Sequence, residues 1–172
     1  MTTQKLENYI EVERKVDLAR DRFAKEEGYI NASQTTSPFI PFFPGVSIRH
    51  LSFDVTNNSA VNILKVEKGA SLGRHRHRHR GIVTGFCLTG SWKYAEYDWV
   101  ARPGDYIREA PGRAHTLVSE EGMETLFHLN GSLEFLDEDE RIIEIVDAFW
   151  FIDHYVSYCE KNNIPINKDL FL

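Results

Sequence analysis

The chain of 172 residues carries a formal charge of −6, with 20 Lys+Arg against 26 Asp+Glu, and is 42% hydrophobic and 27% charged. Such a composition belongs to a folding globular chain, and its acidity argues against nucleic acid as a partner, since that affinity rests on Lys and Arg neutralising several phosphates. Two cysteines far apart (Cys87, Cys159), no apolar leader after Met1 and no apolar run near the ~18 residues of a membrane span predict a reduced, cytoplasmic protein without a disulfide framework or membrane anchor.

Residues 6–27 read as an amphipathic helix, because Val12, Val16, Ala19 and Phe23 recur at helical spacing and Gly28 can end the run. Residues 31–45 place Pro38, Pro41 and Pro44 among Phe39, Phe42 and Phe43, which refuses both helix and central strand. An ordered apolar loop, packed across the core or a partner subunit, is expected there. From Val46 the period becomes two, with a phase slip at His50 that predicts a bulge. Further strands are expected over 61–66, 76–88, 92–100, 105–109, 115–118, 124–129, 133–135 and 142–146, separated by Gly- and Pro-bearing turns. Strands of this length without intervening helices imply an all-β antiparallel sandwich or barrel. The acidic run 137–140 should tip a hairpin, and Asp147 should cap a last helix whose inward face is Phe149, Ile152, Val156 and Cys159. With no internal repeat and no linker, the chain divides into an N-terminal helix and arm (1–45), a barrel (46–146) and a C-terminal helix (147–172) within one structural domain.

The chemistry concentrates in Arg74-His75-Arg76-His77-Arg78-His79-Arg80-Gly81. In a strand the alternate histidines leave one face, roughly 6.6 Å apart at a ~3.3 Å rise, so two imidazoles can converge on one ion. Zinc and first-row metals accept imidazole nitrogen at about 2.0–2.1 Å. The missing half of such a site is best sought in His115, which follows the tight turn at Pro111-Gly112. Arg74, Arg76, Arg78 and Arg80 then fall on the opposite face, where solvent or a carboxylate partner is the default. His50, His128 and His154 read as structural, with His128 on a late strand that could face the interior.

Together these segments resemble the cupins, small jelly-roll β-barrels whose first motif carries His-x-His and a later Gly, matched by His77, His79 and Gly90, and whose second carries Gly, Pro, Gly and His, matched by Gly104, Pro111, Gly112 and His115. The longer string His77-Arg78-His79-Arg80-Gly81-Ile82-Val83, Leu88-Thr89-Gly90-Ser91-Trp92-Lys93-Tyr94-Ala95-Glu96, Gly104-Asp105-Tyr106 and Glu109-Ala110-Pro111-Gly112 is similar to the 2,4'-dihydroxyacetophenone dioxygenase family, with acetylacetone-cleaving dioxygenases nearby. The resemblance covers about residues 46–146. It implies a single-domain cupin with flanking helices, iron(II) held by three histidines, and cleavage of a carbon–carbon bond beside a carbonyl, with a small-molecule substrate and O₂ as partners. A homo-oligomer, dimer or tetramer, is expected.

Two departures bear on the site. Ile82 and Val83 stand where the first-motif glutamate of cupins would fall, which implies a shell of three neutral histidines. The histidine run is also longer than the motif: counting from Gly69 selects His75 and His77, whereas counting back from Gly81, Gly90 and Trp92 selects His77 and His79. The second count is preferred, because a loop absorbs two residues more easily than a strand ladder. His77, His79 and His115 are therefore the expected metal ligands, and Glu96 and Glu109 the expected base or ligand-orienting acids. Trp92 and Tyr94 share strand parity with Glu96 and are expected on its face. Rival readings are a non-catalytic zinc-binding cupin module, or a cupin isomerase or hydrolase using another divalent metal.

Overall fold

A computed structural model describes residues 4, 7, 8, 10–15, 27–31, 37–70 and 76–172. Of the expected N-terminal helix, the described residues up to Lys15 are helical and exposed, Ile10 and Val12 included; Val16, Ala19 and Phe23 lie outside the described residues. Among the described residues eleven strands follow, and every pairing between them is antiparallel. Six form one sheet in the order β1-β2-β3-β9-β5-β7, from β1 (Ile40–Phe43), β2 (Val46–Asp54), β3 (Ser59–Val66), β9 (Met123–Asn130), β5 (Val83–Gly90) and β7 (Tyr106–Glu109). Facing it are β11 (Ile142–Val146), β10 (Leu133–Leu136) and β4 (His77–His79), and a short pair, β6 (Lys93–Tyr94) with β8 (Leu117–Val118). The result is the all-β barrel expected, closed at one end by the C-terminal helix (Ala148–Lys161).

The alternation in β2 and β3 explains which residues face in: Val46, Ile48 and His50 on one strand, Ala60, Asn62 and Val66 on the other, are buried. The slip at His50 is a bulge, since the β2–β3 register shifts between His50 and Ser52. The interior divides into two apolar clusters. One, around Trp92, Tyr94 and Phe127, fills the barrel, and the other, around Phe53, Phe135, Phe151 and Tyr155, seats the helix.

Four expectations are corrected. The Pro/Phe-rich segment is not all loop: Ile40–Phe43 forms the edge strand β1, where Pro41 removes no ladder bond that a neighbour needs, and its register with β2 slips next to that proline. The expected strand 76–88 is two strands in different sheets, divided at Arg80-Gly81, where a Cβ on Gly81 would fall 1.9 Å from the Asn130 carbonyl oxygen. The expected strand 92–100 stops at Tyr94, because a turn begins there, with Tyr97 N–H donating to the Tyr94 carbonyl at 3.1 Å. Finally, Asp147 does cap the last helix, accepting from Trp150 N–H, but the inward face is Ala148, Phe151, Tyr155 and Cys159, and Phe149 is exposed. Apolar residues surround that helix, so periodicity alone could not choose the face. The acidic run 137–140 links β10 to β11, with Asp137 Oδ1 accepting from the backbone of Asp139 and Arg141.

Candidate metal centre

Strand β4 is three residues long and pairs with β10, His77 opposite Phe135 and His79 opposite Leu133. Strand alternation sends both imidazoles into the barrel and Arg78 outward. His115 is brought alongside by backbone bonds: His77 N–H donates to the His115 carbonyl at 3.0 Å, His115 N–H returns to the His77 carbonyl at 2.8 Å, and Gly112 N–H donates to the His79 carbonyl at 2.8 Å. The two motifs are thus zipped into one unit. The three imidazoles are buried and their donor atoms lie within 4.8 Å of one another.

A carboxylate joins them. Glu109, at the end of β7, places Oε2 2.9 Å from His79 Nε2 and 3.4 Å from His115 Nε2. Neither approach has hydrogen-bond geometry, and both Glu109 Oε2 and His115 Nε2 are buried without a hydrogen bond. The other oxygen, Oε1, accepts a 2.6 Å bond from the Tyr94 hydroxyl, while the Tyr94 ring stacks on His115 at 3.7 Å between centroids. Burial pushes the Glu109 carboxyl up, but the imidazoles of His115 and His79 and the Tyr94 hydroxyl more than reverse this and hold it far below the usual carboxylate range. Burial first, and then the charge of Glu109, raise the Tyr94 phenol well above its ordinary value, so it stays a donor.

Orphaned buried polar atoms are rare in native proteins and ask for a missing partner. One cation among His77, His79 and His115 would satisfy both His115 Nε2 and Glu109 Oε2, so the donor set fits a divalent metal. Imidazole with carboxylate suits iron, zinc and their neighbours alike and does not by itself select one. The three imidazoles form the expected cluster, and Glu109, from another strand, brings a carboxylate to its edge.

Beside this cluster opens a pocket enclosing about 580 Å³ of empty space, its mouth included. His77, His79, Tyr94 and Glu109 form one part of its lining, and Phe42, Phe127, Phe135, Phe151 and several aliphatic side chains form most of the rest. The structure does not bring Glu96 to this pocket. Glu96 is exposed beyond the turn after Tyr94, where its carboxylate accepts from Thr116 N–H at 2.9 Å and from Arg76 at 3.3 Å. It braces the segment that carries His115. Trp92 and Tyr94 are buried, so the three residues do not share a face. His128 is exposed, with Phe127 and Leu129 turned inward instead. His75 and Arg74 lie outside the described residues. The other arginines of the run do find carboxylates: Arg78 Nε and Arg80 Nε clasp the buried Glu134 at 2.7 and 2.6 Å, and Arg76 contacts Glu96 and Glu140.

Sequence reasoning passed over a second histidine group. His50 Nε2 lies 3.0 Å from His154 Nδ1, and the His50 Nδ1 edge lies 2.9 Å from the side-chain amide of Asn62, which also lines the pocket. The signal was there in β3, where an amide occupies an inward position between Ala60 and Leu64.

Comparison with known proteins agrees with this fold. No curated protein matches the chain. An RmlC-like cupin protein from Ralstonia eutropha JMP134 is 28% identical, with a TM-score of 0.77 over 84% of this chain and 94% of that one. A cupin-fold protein of unknown function from the same organism is 22% identical, with a TM-score of 0.72 over 87% and 94%. The acetylacetone dioxygenase from Acinetobacter johnsonii shares the fold at 18% identity, with a TM-score of 0.70 over 77% and 93%. Among the described residues no helix is long and apolar enough to cross a membrane. The model of the ChrR cupin-like domain matches residues 27–134, and with the barrel and its histidine motifs in place the chain belongs to that cupin family.

Proposed function

We propose that this cupin is a non-haem iron(II)-dependent dioxygenase that cleaves a carbon–carbon bond beside the carbonyl of a hydroxy-ketone or β-diketone, with O₂ as its second substrate. The observation that carries the reading is a buried three-histidine cluster opening onto a phenylalanine-lined pocket, with one carboxylate poised at the cluster. His77, His79 and His115 would hold the ion. When bound, iron(II) supplies charge stabilisation for an enolate and a template that brings O₂ beside it. The chain supplies the rest. Glu109 is assigned to orient the imidazoles of His79 and His115, and Tyr94, by donating to Oε1, fixes the direction in which Oε2 points. Phe127, Phe135 and their neighbours keep bulk water from the pocket.

Iron-loaded protein is expected to consume O₂ with members of a panel of diketones and hydroxyacetophenones. Bound iron with no uptake across that panel overturns the proposal. The match to the ChrR cupin-like domain would then favour a non-catalytic zinc-binding module. Product formed without oxygen would instead select an isomerase or hydrolase using another divalent metal.

A further inference from the structure

Apart from the cluster of His77, His79, Tyr94 and Glu109, the described residues that line the pocket are apolar with one exception, Asn62. Asn62 is 4% exposed and stands on β3, opposite His50 on β2 and Phe127 on β9. Counting along the sheet from the β7 of Glu109, β5 and β9 intervene before β3. That is roughly 14 Å of sheet at ~4.8 Å per strand, shortened by the barrel's curvature. Asn62 therefore marks the far side of the pocket from the histidine cluster.

Which end of its amide faces the pocket follows from the chain of bonds behind it. The Pro41 carbonyl can only accept, so His154 Nε2, 2.9 Å away, donates to it. A neutral His154 then presents Nδ1 as an acceptor, and His50 Nε2 donates to it at 3.0 Å. A neutral His50 is left with a bare Nδ1, and the amide atom 2.9 Å from it has to be a donor. Amide oxygen and nitrogen are told apart by their partners and not by their shape. The atom placed 2.9 Å from His50 Nδ1 is the Asn62 oxygen; this order of donors turns the amide about, so that its nitrogen meets His50 and its oxygen faces the pocket. The neutral state of both rings is supported by their surroundings. Burial, and then the facing His154, bring His50 down to about 3. Burial also lowers His154, against the opposing pull of the Pro41 bond and Asp153.

We propose that Asn62 is a specificity-determining residue: its amide oxygen, locked by His50 and His154, accepts a hydrogen bond from a hydroxyl at the end of the substrate remote from the histidine cluster. With the phenylalanine lining, this selects a hydroxyaryl ketone over an aliphatic diketone. The inference rests on the proposed function for the ketone end alone. A buried acceptor left without its donor is penalised, which is why a site of this kind discriminates more strongly than an apolar one.

The test is equilibrium binding to the full-length, zinc-loaded protein by calorimetry, which needs no turnover. 4'-Hydroxyacetophenone is expected to bind roughly tenfold or more tightly than acetophenone or 4'-methoxyacetophenone. Asn62→Leu should abolish that preference. His154→Phe, which removes the acceptor holding His50 and so frees the amide to turn, should weaken the phenol while leaving acetophenone unchanged; a merely structural role would weaken both alike. Equal binding of the three ligands to the unaltered protein, or tighter binding of the methoxy ligand, overturns the proposal whatever the variants do. Because oxygen uptake is not measured, such a result leaves the dioxygenase reading standing, and failure of oxygen uptake leaves this one.

Discussion

The barrel holds two groups of histidines whose nitrogens are used in opposite ways. At the candidate metal centre, His77, His79 and His115 turn their donor atoms toward one another, and buried polar atoms there lack hydrogen bonds. At the seam with the C-terminal helix, His50 and His154 form a line in which each ring nitrogen meets a partner, from Pro41 through to Asn62. Residue type is the same in the two groups, and all five rings but the half-buried His154 are buried. What separates a ligand site from a positioning relay is whether the donor atoms converge or are paired in series, because a converging set of lone pairs is costly until a cation satisfies it.

The largest effect that could break this contrast is on metal retention. His79→Ala or His115→Ala is expected to lower metal affinity by more than a hundredfold, whereas His50→Gln and His75→Ala retain the metal; elemental analysis after dialysis decides, and loss with His75→Ala instead of His79→Ala reverses the register. Next comes Glu109→Gln, which keeps a partner for Tyr94 but removes the charge. A loss of roughly 10–100-fold in metal affinity or turnover is expected, read as iron content and oxygen uptake side by side.

A smaller effect belongs to the paired group. The unfolded value of His50 is 6.5 and the folded value about 3, so the folded state disfavours the protonated ring. Its contribution to stability is fully present above pH 6.5 and is eroded as the pH falls from there toward 3, by at most about 1.4 kcal/mol per pH unit. Urea denaturation at pH 7.5 and 5.0 should show the unaltered protein losing about 1–2 kcal/mol more than His50→Gln; equal losses would contradict the neutral relay. Smallest of all is Glu96→Ala. Its ion pair with Arg76 is solvent-facing and worth about 0–1 kcal/mol, so oxygen uptake is expected to stay within about twofold and the melting temperature to fall by a few degrees.

Much of this arrangement was legible in the sequence, because it is local. His77-Arg78-His79 needs only strand alternation to place two imidazoles on one face, and the Gly and Pro turns delimit the short strands around it. The bulge at His50 was legible for the same reason. What could not be read is what depends on turns in three dimensions. Glu96 shares parity with Tyr94 on paper, but the chain turns after Tyr94 and leaves Glu96 outside. Glu109 reaches His79 and His115 from the edge strand of the large sheet, a proximity that no spacing encodes. The Asn62–His50–His154 line joins His50 to a residue 104 positions away.

The paired backbone bonds between His77 and His115 carry a consequence for how the metal and the fold are coupled. His77 and His79 remain neighbours in the unfolded chain and can still chelate there, whereas His115 joins them only when the intervening segment has closed. A ligand stabilises a fold by the difference between its affinities for the native and unfolded states, so any capture by the unfolded chain subtracts from the gain. Melting temperature will thus rise with added metal by less than the native affinity implies, and the shortfall measures how much binding survives in the histidine run after the barrel has come apart.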